Sequence, residues 1–259
     1  MNWSKTGKIH LVSLIAVSAL ASCVSNEIQQ LPTLDYSPAN HVGRQESIAI
    51  AESYRIHRWQ PTPRNAFHGA DRRGIRVDTP DIRFRPTDGM TRPGWWRPNR
   101  PNVGIPYQWG GFDTPQSFDA ALRRGAYAGD IYTEAKRAAL DDAVSQEACG
   151  IDCSGFISRC WRLDRSYSTR ELPGLCDELE SFDELLPGDI VNKHNDHVLL
   201  FVDWINERRT HFMAYETGSP PTWKVLRHPI EVAYVEGLGY RPFRYKRIID
   251  DSMNPNGTD

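Results

Sequence analysis

The chain has 259 residues, with 31 basic and 33 acidic side chains, a net charge of −2 and 39% apolar residues. That is an ordinary globular composition; it excludes the low-hydrophobicity, high-charge signature of a disordered chain and gives no basic excess for binding nucleic acid. The length allows one domain with an extension, or two small ones.

Lys5 and Lys8 precede an apolar run from Leu11 to Leu20, which is too short to cross a bilayer as a finished helix and is followed by small residues. This is the pattern of a secretory signal. The run ends in Leu20-Ala21-Ser22-Cys23, which resembles the lipobox of bacterial lipoproteins. The resemblance implies a signal over residues 1–22, lipidation of Cys23 and a lipid anchor in the membrane. Val24 after the cysteine implies the outer membrane in a Gram-negative host. An ordinary signal peptide containing a cysteine is the plainer alternative.

Export leaves Cys149, Cys153, Cys160 and Cys176 in an oxidising compartment, where two bridges could form. Cys160 with Cys176 is one candidate pair, but spacing does not fix connectivity. The cysteines lack zinc-finger spacing and have no histidine pair beside them, so no metal or cofactor is expected.

Residues 23–43 are polar and contain proline, as a tether does. From Gln45 to Trp59, Ile48, Ala51, Tyr54 and Ile56 roughly follow one helical face. Prolines and arginines recur through residues 60–103 and forbid a long helix. Phe84, Trp95 and Trp96 argue against disorder, so residues 44–103 are expected to be a helix and an irregular arm packed on a body formed by residues 104–250. The arginines and tryptophans of the arm could bind anionic glycan or stack on sugars; ion pairing and packing are the simpler expectation.

Gly104 to Gly111 (GIPYQWGG) is rich in turns. Helices are expected over Thr114 to Leu122 and Thr133 to Val144, the second with Ala135, Ala138, Ala139 and Leu140 as a buried stripe. Ser154 to Leu163 is helical, with Phe156, Ile157, Cys160 and Trp161 on one face. After Leu186-Pro187-Gly188-Asp189-Ile190-Val191, a turn into a strand, His197 to Trp204 (HVLLFVDW) is an apolar strand. A turn over Asn206 to Thr210 leads to a second strand, His211 to Glu216, making a hairpin. Strands around Trp223 to Leu226 and Arg241 to Tyr245 complete a small antiparallel sheet. Helices followed by strands make the fold class α+β. Residues 251–259 form a tail.

Cys153, within Gly150-Ile151-Asp152-Cys153-Ser154-Gly155-Phe156, falls at a helix start. A thiol becomes a strong nucleophile when a helix N-terminus or an imidazole favours its thiolate. His197, opening an apolar strand, can project that imidazole from a fixed backbone; His194 lacks such a strand behind it. A third polar group should orient the ring. A buried structural thiol is the plain alternative for Cys153, and core packing is the plain alternative for Tyr107 and Trp109.

The motifs PYQWGG, DCSGF, LPGDIV and HVLLFV, in that order, resemble the NlpC-like family of papain-like cell-wall cysteine peptidases over roughly residues 100–245. The resemblance implies a papain-like fold, with the cysteine-bearing helix packed on the histidine-bearing antiparallel sheet, and hydrolysis of amide bonds in peptidoglycan stem peptides, often between D-glutamate and a diamino acid. It makes Cys153 the nucleophile and His197 the base and then the acid. Tyr107 would line the site, and Asp152 and Ser154 would contact the free amine of the substrate. The backbone N–H of Cys153 is a natural oxyanion donor.

Two departures from the family pattern stand out. The hairpin after His197 is long, so the third catalytic group is Glu216 or His211; antiparallel pairing brings Glu216 back towards His197 and favours it. The stretch from Gly111 to Cys149 is longer than usual and is expected to cover or shape the groove, limiting the enzyme to short, released peptides. A papain-like amidase or acyltransferase on another substrate, and a non-catalytic wall-binding module, are the competing readings.

Overall fold

The computed structural model describes residues 34–85, 94–218 and 222–250. Cys23, with the signal and most of the tether, and the tail 251–259 lie outside the described residues. The described chain is α+β, and no helix in it is long and apolar enough to cross a membrane.

The fold is organised around a six-stranded antiparallel sheet. Its strands are β1 (Cys176–Glu178), β2 (Ile190–Lys193), β3 (His197–Trp204), β4 (His211–Glu216), β5 (Leu226–Glu231) and β6 (Arg241–Tyr245), in the order β5-β4-β3-β2-β6-β1. The unbroken apolar run of β3 has a simple cause: both faces of the strand are covered. Val198, Leu200 and Val202 join one core cluster with Phe156, Ile157 and Trp161, while Leu199 and Phe201 join a second with Phe182, Phe212 and Val235.

Helix α1 (Arg44–Ile56) buries Ser47, Ile50, Ala51 and Tyr54 on one face, with Tyr54 edge-on to Phe156 at 5.6 Å between ring centroids. It stops short of the expected end because Arg58–Trp59 pairs as a short strand with Asn102–Val103. The arm is built into the body. Trp96 is fully buried and donates to the Ala128 carbonyl at 3.2 Å, while Trp59 packs against both Trp96 and Phe118. Burial of Trp96 removes it from sugar stacking. Residues 34–250 belong to one compact unit, with the arm's Trp59 and Trp96 in its core.

Helix α2 (Pro115–Arg123) starts at Thr114, whose side chain accepts from the Ser117 N–H. The next helix corrects the sequence reading. Helix α3 runs only from Glu134 to Ala139, and the chain then tightens into a 3-10 turn over Leu140–Ala143. Ala135, Ala138, Ala139 and Leu140 are exposed, and the buried residue is Lys136. Its ammonium donates to Asp130 and to the Arg76 carbonyl, both at 2.6 Å, so a paired charge anchors this helix where an apolar stripe was expected.

Helix α4 (Cys153–Cys160) packs on α1 and β3. Trp161, just after it, donates to the Gly188 carbonyl at 2.9 Å and stacks on Tyr245, tying the helix to the Leu186–Ile190 turn. In that turn Asp189 is fully buried and accepts from Arg44 at 3.0 Å and Arg244 at 2.8 Å, joining α1, the turn and β6. Helix α5 (Val232–Gly237) buries Val235 against the far face of the sheet. Cys149, Cys153, Cys160 and Cys176 are all free thiols.

Candidate active site

Cys153 is the first residue of α4, and Asp152 is its N-cap, with the side-chain carboxylate accepting from the Gly155 N–H. Gly155 is required at this place by packing: a Cβ there would stand 2.3 Å from the Gly111 carbonyl oxygen. Absence of a side chain lets the helix start press directly on the GIPYQWGG turn.

Tyr107, within that turn, is held by three segments outside it. Its N–H donates to the Trp223 carbonyl at 2.9 Å, its carbonyl accepts from the Asp130 N–H at 2.8 Å, and it bridges to Ile151. Gly218, with φ of +102°, lies close against the Tyr107 ring, where a Cβ would fall 2.6 Å from a ring carbon. Burial, and next the nearby Cys153, push the Tyr107 phenol well up, so it stays neutral and able to donate.

His197 projects from the start of β3. Sheet register pairs Leu200 with Tyr215, which places Glu216 across from Leu199, two residues from His197 on the same face. The Glu216 carboxylate lies 2.7 Å from His197 Nε2. This leaves Nδ1 as the ring atom available to the Cys153 thiol. Burial opposes the imidazolium, but hydrogen bonds to Cys153 and Glu216 and their negative charge override it and push His197 up to about 10. A charged imidazole between a sulfur and a carboxylate is the arrangement that activates a thiol for acyl transfer.

The structure does not bring His211 to His197. His211 is at the opposite end of β4, across from Glu231, with its ring against the Thr210 hydroxyl. His194 is exposed in the turn before β3.

The sequence reading missed a residue here. His228, on β5, brings Nε2 to 2.5 Å from the other Glu216 oxygen, so one carboxylate holds two imidazoles. The missed signal was the strand: β5 begins at Leu226, where the expected strand ended.

Asp152 and Ser154 both line the cleft, and the Ser154 hydroxyl donates to Asp152 at 3.2 Å. Burial pushes the Asp152 carboxyl up to about 6, against opposing hydrogen bonds from the Gly155, Ser154 and Gly110 backbone and the Ser154 hydroxyl. The carboxylate is therefore first of all a helix cap.

The cleft has a volume of about 430 Å³ and is open on one side of Cys153 and His197. The long stretch before Cys149 forms its other wall, through Tyr132, Arg137, Leu140 and Val144. Trp109 braces this wall by donating to the Leu140 carbonyl at 3.1 Å and packing on Tyr132. Arg137 reaches over to the turn before His197, donating to the Asn195 carbonyl and pairing with Asp196 at 3.5 Å. Among the described residues no cluster of side chains fits a metal ion.

Comparison with protein-family models, with curated proteins and with solved structures finds no match.

Proposed function

We propose that the protein is a papain-like cysteine hydrolase of the NlpC-like kind that cleaves amide bonds in peptidoglycan stem peptides. One observation carries the reading: at the edge of an open cleft His197 has Glu216 2.7 Å from one ring nitrogen and Cys153, at a helix start, as its other side-chain partner. In this mechanism the Cys153 thiolate attacks the amide carbonyl, and the developing oxyanion is met by the Cys153 N–H and the Tyr107 hydroxyl. The His197 imidazolium gives its proton to the leaving amine as the C–N bond breaks, leaving a thioester. His197, now neutral, takes a proton from water, whose attack releases the acid and restores the thiol pair. Glu216 keeps the ring oriented throughout and stabilises its charged form.

The charge of the cleft suits a short peptide carrying both an amine and carboxylates. Asp152 and the exposed Arg170 both line the cleft. The wall from α3 to Val144, clasped by Arg137, favours a chain end over the interior of a wall polymer. A lipid on Cys23 would hold this activity at a membrane surface.

The test is mass spectrometry of digests made with the full chain. Intact peptidoglycan, soluble muropeptides and muropeptides with a blocked N-terminal amine are compared. Cleavage of the soluble, unblocked peptides is expected. Hydrolysis confined to other acyl substrates would replace this reading with the amidase or acyltransferase one, and inertness towards all of them with a wall-binding one.

A further inference from the structure

We infer that His228 is a positioning residue of this site, holding the Glu216 carboxylate from the side opposite His197. The inference builds on the hydrolase reading, but it makes a claim about the thiol that can be read without any substrate.

Glu216 is almost completely buried, at 6% side-chain exposure, and its two oxygens face two different imidazoles, His197 at 2.7 Å and His228 at 2.5 Å. A carboxylate held at one oxygen can turn about its last torsion. Held at both, it presents a fixed lone pair to His197. His57 and His68 also bond carboxylates, but among the described residues only Glu216 is shared by two imidazoles.

The register explains how the contact arises. Ala214 pairs with His228 and Glu216 with Leu226, so His228 and Glu216 are diagonal neighbours across β4 and β5. His228 is on the outer strand of the sheet and is 36% exposed, so its ring exchanges protons with solvent while its Nε2–H stays on Glu216. The charged groups bearing on it are Glu216 from β4, which favours its charged form, and His197 from β3, which opposes it. Protonation of His228 therefore draws negative charge away from the Glu216–His197 pair.

Two substitutions in the full chain test this, His228→Ala and His228→Gln, with His211→Ala as a control. Alkylation of Cys153 by iodoacetamide is followed by peptide mapping from about pH 5 to about pH 10, alongside turnover of soluble muropeptides. His228→Ala should slow both near neutrality by about tenfold, the loss of one hydrogen bond to a charged group. His228→Gln keeps an N–H at similar reach and should recover to within about threefold. Both variants should lose an inflection that the parent profile shows above the ordinary histidine value of 6.5. The His211 control should match the parent.

An unchanged rate and profile in His228→Ala overturns the inference. So does an equal loss in both variants with the inflection retained, which is the result of a packing defect. If His228→Ala fails to fold, His228→Gln and its profile decide. If the parent alkylates as stated but cleaves no muropeptide, the substrate assignment falls and the role of His228 stands. An inert parent thiol removes both.

Discussion

Glu216 and His197 meet across two antiparallel strands although they are offset by two residues in register, with 2.7 Å between carboxylate and ring. The diagonal is what lets one carboxylate serve a histidine on each side. It also gives the site its charge, because the anion that orients His197 is the same one that favours its protonated form.

Glu216→Gln should therefore act on both rate and pH dependence. The His197 ring, at about 10 in the parent, should lose its proton at lower pH once the anion is gone. The alkaline limb of kcat/KM moves down, and the maximum falls by roughly ten- to a hundredfold, the equivalent of one hydrogen bond to a charged group. His211→Ala should leave both unchanged. A pH–rate series on the two variants and the parent checks this.

Gly155→Ala should unfold the protein more readily. The added Cβ meets a backbone oxygen at 2.3 Å, and neither the helix start nor the Gly111 turn is free to yield. A loss of about 1–3 kcal/mol is expected from such overpacking. Denaturant titration measures it, and the candidate site should weaken with the fold because Cys153 is two residues away.

Asp189→Asn removes the anion between two arginines that it joins at the base of the sheet. Arg44 would then be left 10% exposed without its buried partner. Asp250 and the Pro187 carbonyl still hold Arg44, so the expected cost is about 1–3 kcal/mol, that of a buried group losing one charged partner. Equilibrium unfolding of this variant should show a lower midpoint with an unchanged slope.

His68 predicts a pH dependence of stability remote from the cleft. Its ring bridges Asp78 at 3.3 Å and Asp81 at 2.9 Å. Hydrogen bonds to those two carboxylates, Asp78 first, raise it from 6.5 to about 9. A group raised on folding stabilises the native state fully below its unfolded value. The contribution should be complete below about pH 6.5 and lost as pH rises through about 9. Thermal melts across that window should fall for the parent, and His68→Gln should flatten this part of the curve.

The sequence carried much of the site because its central parts are locally encoded. The unbroken apolar run behind His197 requires a strand covered on both faces, and the residues around Cys153 mark a capped helix start. Antiparallel geometry alone preferred Glu216 to His211. The sequence was silent at the edges of the sheet. Strand β5 (Leu-Arg-His-Pro-Ile-Glu) has only two apolar aliphatic residues and contains Pro229, which an outer strand tolerates and a central one does not, and this concealed His228. Strand β1, at the other edge, is the polar segment Cys176–Glu178 and carries little apolar signal. Lys136 was hidden for another reason: its burial depends on Asp130, a contact that helical periodicity does not report.

The central claim is that the Cys153 thiol performs the hydrolysis with His197 as its proton partner. Its most direct measurement is product formation from soluble muropeptides by the full chain and by Cys153→Ala, followed side by side by mass spectrometry. The account predicts one stem-peptide amide cleaved by the parent and no cleavage by the variant, which should retain its fold. Equal cleavage by the two proteins, or none by either, would contradict it.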